Sequence, residues 1–162
     1  MKKEIILNGI PYVFYFSEEL NLWRVIESDK IISSHTIDLE IDLNNLKKNI
    51  DWNEIDSFIS FLKSHNEKII ENIKDAEEVL LNLFKIIYKK SFTKEIKSNI
   101  SFRLSGIDYK SYCRIINMEK DFEYDFFFFP YNSKNEYQDI GSFVWRANFR
   151  NLLLLGVYCD RI

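Results

Sequence analysis

Apolar positions along this chain change their period twice, from two residues to about 3.6 and back to two, which predicts strands, then helices, then strands. Residues 4–7 and 12–16 flank Asn8-Gly9-Ile10-Pro11, and Asn-Gly between apolar runs predicts a hairpin. Residues 20–26 and 31–43 supply further extended segments. In the second of these Asp38, Glu40 and Asp42 alternate with Ile37, Leu39, Ile41 and Leu43, so three carboxylates share one strand face. Asp51-Trp52-Asn53-Glu54 has capping-box spacing, with Asp51 placed to accept from the Glu54 amide. Ile55, Phe58, Ile59 and Leu62 follow at helical spacing and predict a helix over about 52–63. A second capping box, Ser64-His65-Asn66-Glu67, precedes Ile69, Ile73, Ala76, Leu80, Leu83 and Ile87 and predicts a longer helix over about 65–90. Ile70, Val79, Phe84 and Ile86 broaden that stripe, which suits packing on a sheet better than a coiled-coil seam.

The last part, about 100–160, reads as a meander whose register follows from keeping aromatic side chains on one face. With Arg150-Asn151 as the turn, Phe149 faces Leu152, Ala147 faces Leu154, Trp145 faces Gly156 and Phe143 faces Tyr158, and Gly156 leaves room for the indole of Trp145. The segment from Asp121 to Tyr131 then pairs so that Phe128 meets Trp145, Phe126 meets Ala147 and Tyr124 meets Phe149. That register also sets Glu123 opposite Arg150 and Asp125 opposite Asn148. The expected fold is one α+β domain over residues 1–162, a mainly antiparallel sheet of N-terminal strands and C-terminal meander packed against two central helices.

One segment breaks the simple alternation. Asp121-Phe122-Glu123-Tyr124-Asp125 alternates as a half-exposed strand does, but Phe126-Phe127-Phe128-Phe129 is aromatic on both faces. The second face of the meander therefore mixes Glu123, Asp125, Arg146 and Arg150 with Phe127, Phe129, Val144, Leu153, Leu155 and Val157. Either the chain's own elements cover this surface, or part of it is a contact for another chain.

Composition narrows the class. A chain of 162 residues suits one domain, and 14 Phe and 9 Tyr beside 4 Gly and 2 Pro supply much apolar surface and little linker. The formal charge of −3 is uneven: residues 1–62 carry 11 acidic against 6 basic side chains, residues 63–118 carry 7 against 11, and residues 119–162 carry 7 against 5. No concentrated basic stripe with aromatic platforms emerges, so nucleic acid is not an expected partner. Lys85, Lys89, Lys90, Lys94 and Lys97 suit the C-terminal end of a helix and its dipole. The opening run is too short for a signal peptide and no segment approaches a membrane span, so a cytoplasmic protein without membrane contact is expected. Cys113 and Cys159 lack CxxC spacing and read as small buried hydrophobes.

Candidate chemistry is sparse. His35 and His65 have no companion at zinc-ligand spacing, no GxSxG motif marks a nucleophile, and four glycines leave no phosphate-cradling loop. No metal, cofactor or catalytic residue is assigned. The longest polar connection, residues 130–141, holds Tyr131, Glu136, Tyr137 and Asp139, which suit either an ordinary solvated loop, a protein contact through the tyrosines, or a cleft with paired carboxylates.

The order of N-terminal hairpin, paired helices and a closing meander reading Asp139-Ile140-Gly141-Ser142-Phe143-Val144-Trp145-Arg146-Ala147-Asn148-Phe149-Arg150-Asn151 and then Leu155-Gly156-Val157 resembles small bacterial immunity proteins of polymorphic toxin systems and uncharacterised domains found among them. The resemblance is one of layout over most of the chain. It implies a cytoplasmic non-enzyme that binds and neutralises one cognate toxin; independently of it, the chain is expected to be a monomer or a homodimer held by the exposed sheet face. For such a protein-binding module Asp38, Glu40, Asp42, Glu123, Asp125, Tyr131, Glu136, Tyr137 and Asp139 are the candidate partner-binding residues, with the acids steering a basic toxin domain. The alternative is a small-ligand-binding or enzymatic domain with a cleft near the 131–140 loop.

Overall fold

The computed structural model describes residues 1–33, 35–42, 50–88, 99–110, 121–138 and 143–161. They form β1 (Lys2–Leu7), β2 (Ile10–Ser17), β3 (Leu22–Ser28), β4 (Ile37–Asp42), α1 (Trp52–Ser64), α2 (Asn66–Ile87), β5 (Ser101–Lys110), β6 (Glu123–Tyr131), β7 (Phe143–Arg150) and β8 (Leu153–Arg161). The eight strands make one sheet in chain order, antiparallel throughout except where β4 and β5 run parallel. A parallel pair needs a long crossover between its strands, and the helical segment lies between these two in sequence. The α+β expectation with a mostly antiparallel sheet therefore holds. No helix among the described residues is long and apolar enough to cross a membrane.

Local chemistry explains most boundaries. Asn8 and Gly9 both take left-handed backbone, with φ of 54° and 72°, as the two-residue hairpin turn between β1 and β2 requires. Asp51 caps α1, but its carboxylate accepts from the Asn53 amide at 3.0 Å, not from that of Glu54. The second capping box does not form: Ser64 Oγ donates to the Phe61 carbonyl, and His65 is the shared residue that ends α1 and precedes α2. A side chain spent on the preceding turn is not available to the next one. The strand expected over 31–43 begins only at Ile37, with Ile31 and Ile32 buried ahead of it.

The helices bury their apolar rows against one face of the sheet. Ile55, Phe58, Ile59 and Leu62 of α1 and Ile69, Ile73, Ala76, Leu80 and Phe84 of α2 are buried in one core with Phe14, Leu39, Ile41, Ile107, Tyr109, Tyr124, Phe126, Phe128, Trp145, Ala147 and Phe149. Phe58 stacks on Tyr109 at 4.2 Å between centroids, and Phe84 meets Trp145 edge-on at 6.0 Å. Phe84 thus completes the row expected to pass through Leu83 and Ile87, and Ile86 and Ile87 are exposed. Asn72 donates to the Leu152 carbonyl at 3.0 Å and ties α2 to the β7–β8 turn.

The β6–β7 register is the expected one at all five pairs, from Glu123 opposite Arg150 to Phe128 opposite Trp145. The β7–β8 register is not. Arg150 pairs with Leu153 across a turn at Asn151 and Leu152, and an irregularity beyond Phe149 sets Gly156 opposite Asn148, Val157 opposite Ala147 and Cys159 opposite Trp145. Asn151, at φ 51°, takes the left-handed turn position, and its side chain accepts from the Phe122 amide at 2.9 Å. That anchoring draws the turn one residue onward. Gly156 makes no room for Trp145, and Val157 turns to the core side.

A second irregularity occurs in β5, where Leu104 pairs with Phe128 and Gly106 with Phe127, so Ser105 is an extra residue. The ring of Phe127 lies across Gly106: a Cβ there would overlap the ring and come within 2.7 Å of the Asp38 carbonyl oxygen. Phe127 is consequently 7% exposed although it stands outside the helix-side core. Gly106→Ala is expected to lower the unfolding free energy by about 1–3 kcal/mol in urea denaturation, and Gly106→Ala/Phe127→Ala to cost less than the sum of its two single changes, because part of the clash is with the ring. A Gly106→Ala change within about 0.5 kcal/mol would show that the ring is not held there.

Candidate functional site: polar rows on the helix-free face

Because Ile37, Leu39 and Ile41 point into the core, Asp38 and Glu40 stand on the opposite face of β4, which no described helix covers. Strand registers then assemble a row across the sheet. Arg24 is opposite Glu40, Glu40 opposite Asp108, Asp108 opposite Asp125 and Asp125 opposite Asn148. The neighbouring row runs Asp38, Gly106, Phe127, Arg146 and Tyr158. Three carboxylates therefore stand side by side on adjacent strands, roughly 5 Å apart, where like charges destabilise unless cations answer them.

The cations are present. Asp125 is 1% exposed and is held at both oxygens: Asn148 Nδ2 donates to Oδ1 at 2.8 Å, while Lys110 Nζ at 2.8 Å and Tyr158 Oη at 2.5 Å donate to Oδ2. Arg146 bridges the rows, with Nη1 3.0 Å from Asp108 Oδ2 and 3.8 Å from Asp125 Oδ2, and Nε 3.3 Å from Asp160 Oδ2. Arg24 Nη2 reaches Asp38 Oδ2 at 3.1 Å, with Nε 4.0 Å from Glu40 Oε1, and Arg150 Nη2 reaches Glu123 Oε2 at 3.4 Å. Desolvation alone would lower the Lys110 pKa, but the hydrogen bond and charge of Asp125 outweigh it and raise it. Burial, reinforced by the Asp125 hydrogen bond, likewise raises the Tyr158 phenol. Both groups hold their protons more tightly in the folded chain.

At one end of this face the loop after β6 folds back on itself. Asn132 Oδ1 accepts from the Lys134 and Glu136 amides at 2.9 and 3.0 Å, and Asn132 Nδ2 donates to Glu136 Oε2 at 2.9 Å. Glu136 is thus part of the loop's own scaffold. Tyr137 bridges to Tyr131 and meets Phe129 and Tyr131 edge-on at 5.6 and 6.2 Å, and the Arg103 guanidinium lies 4.8 Å over the Tyr131 ring. Tyr137 is exposed and Phe129 half-buried, so this aromatic group forms a surface step beside the polar rows.

Of the candidate residues, the fold gathers Asp38, Glu40, Glu123 and Asp125 on one face and sets Tyr131, Glu136 and Tyr137 at its end. The backbone of Asp42 is opposite Lys110. Asp139, Cys113 and Lys89, Lys90, Lys94 and Lys97 lie outside the described residues. Arg24, Asp108, Lys110 and Tyr158 join the site only through pairings distant in sequence. Among the described residues no group of His, Cys, Asp and Glu is arranged to hold a metal ion. No family model matches the chain, and neither a curated protein nor a solved structure matches it.

Two outcomes follow from the Asp125 cluster. Asp125→Ala is expected to cost about 3 kcal/mol in urea denaturation, since it takes the carboxylate away from Lys110 Nζ and Tyr158 Oη, and adding Lys110→Met should recover part of that loss. A cost under about 1 kcal/mol would contradict the buried pair. The raised pKa values of Lys110 and Tyr158 mean that their stabilisation is complete below about pH 10 and is lost as pH rises above it. The urea midpoint should therefore fall between about pH 10 and pH 12, less steeply in Tyr158→Phe, and an unchanged slope in that variant would contradict the linkage.

Proposed function

We propose that this chain is a non-enzymatic protein-binding module that takes its partner on the helix-free face. The supporting observation is the pairing of ionic rows whose side chains are already held by one another with an adjacent step of Arg103, Phe129, Tyr131 and Tyr137. Aromatic residues and arginine are enriched where proteins meet, and groups fixed before contact lose little conformational freedom on binding. The layout resemblance to immunity proteins names the partner class: a toxin domain that the bound module neutralises. In this reading Tyr131 and Tyr137 are the anchors, and the rim acids, Glu123 beside Arg150 and Asp38 and Glu40 beside Arg24, set orientation.

The ionic rows carry their own cations, so the face is a mosaic of both signs and not a bare acidic stripe. Association with the partner is accordingly expected to depend weakly on salt, changing less than about tenfold in rate between 0.02 and 0.2 M ionic strength. The decisive test compares three tagged forms recovered from the native host: the unaltered chain, Tyr137→Ala/Arg103→Ala on the helix-free face, and Lys68→Glu/Glu78→Lys on the exposed side of α2. A stoichiometric partner retained by the first and third and lost from the second supports the reading. Equal capture by all three, or a monomer recovered alone in each, overturns it.

A further inference from the structure

At the opposite end of the sheet the ladder between β2 and β3 stops early. The register runs from Ser17 opposite Leu22 through Phe16 opposite Trp23 to Tyr15 opposite Arg24, and among the described residues no pair follows, although both strands continue. Two features of the chain cause the separation. The Phe16 amide donates to the Met1 carbonyl, so even-numbered residues of β2 bond toward β1 and odd-numbered ones turn toward β3. Pro11 is one of the odd positions and has no N–H to give. On the facing strand Val25 is opposite Leu39 but Ser28 is opposite Ile37, so β3 bulges at the residues that would otherwise continue the ladder.

Between the parted strands lies a groove of about 250 Å³ lined by Pro11, Val13, Tyr15, Val25, Ile26 and Ser28 among others. Its floor is closed by Tyr12, whose hydroxyl donates to the Lys30 carbonyl at 3.3 Å. Tyr15 and Ile26, at its lip, are 44% and 49% exposed. The volume falls below the roughly 300–1,000 Å³ of sites for drug-sized ligands. It suits one or two residues of an extended chain; among the described residues Val13 is opposite Glu4 of β1 but has no partner in β3, and Ile26 has none in β2.

We propose that this groove accepts an extended segment of a partner protein, which inserts between β2 and β3, pairs with the backbone of Val13 and Ile26, and seats one apolar side chain against Tyr15 and Ile26. Main-chain bonds then give affinity and the side-chain seat gives selectivity, as in other strand-addition modes. The site is independent of the reading above, since it uses neither the ionic rows nor the aromatic step.

The test titrates the isotope-labelled full chain with the peptide acetyl-Thr-Val-Thr-Val-Thr-Val-amide and with the same peptide N-methylated at alternate residues, following amide resonances. Binding that moves Val13, Ile26 and Ser28 and weakens by about tenfold on N-methylation, the effect of losing one or two net hydrogen bonds, supports strand insertion. Pro11→Val, which restores a donor and favours closure of the ladder, should reduce that binding by a similar factor. Equal binding of the methylated peptide, resonances moving along β1 or β8 in place of the groove, no movement at all, or unaltered affinity in Pro11→Val would each overturn it.

Discussion

The parallel pairing of β4 with β5 is the constraint from which the rest of this architecture follows. Every other neighbouring pair is antiparallel. A parallel pair needs its chain carried back over the sheet, and here the intervening segment contains α1 and α2, whose apolar rows bury one face of the sheet. With both helices there, the opposite face must meet its own physical requirements without them. It does so with charge: the same seam that calls for the crossover sets Glu40 beside Asp108, and the next pairing sets Asp108 beside Asp125.

Three adjacent carboxylates would oppose folding if left alone, and their cations arrive from three different strands. Arg24 comes from β3, Lys110 from β5, Arg146 from β7 and Arg150 from β7 for the flanking Glu123, with Tyr158 of β8 closing the shell around Asp125. A buried carboxylate with paired donors adds little net stability compared with an apolar substitute, but it penalises any arrangement that separates it from them. Register is the property so protected. A slip of β6 by one residue would turn Asp125 into the core and Phe126 out of it.

Much of the fold was legible from single positions. Asn8-Gly9 announced the hairpin, the 3.6-residue rows announced both helices, and the need to keep Tyr124, Phe126 and Phe128 together aligned β6 with β7. The failures share a cause, which is competition for a local group. Asn151 held the β7–β8 turn by bonding Phe122, a residue outside the hairpin, and Ser64 turned back to α1 when it could have capped α2. The candidate site was legible along strands and hidden across them. Asp38, Glu40 and Asp42 stood out as an alternating row on β4, yet the candidate row runs perpendicular to it through Asp108 and Asp125. A parallel seam between segments more than sixty residues apart leaves no local signal, and the extra residue at Ser105 reverses the alternation in β5 that would have revealed which face Asp108 occupies.

The central claim is that the helix-free face is where this protein does its work. Hydrogen exchange of the captured complex against the free chain, read by mass spectrometry, tests it without any substitution. New protection in segments from 22–28, 37–42, 101–110 and 123–138, with α1 and α2 unchanged, is the result expected. Protection centred on 52–87, with those strands unaffected, would contradict it.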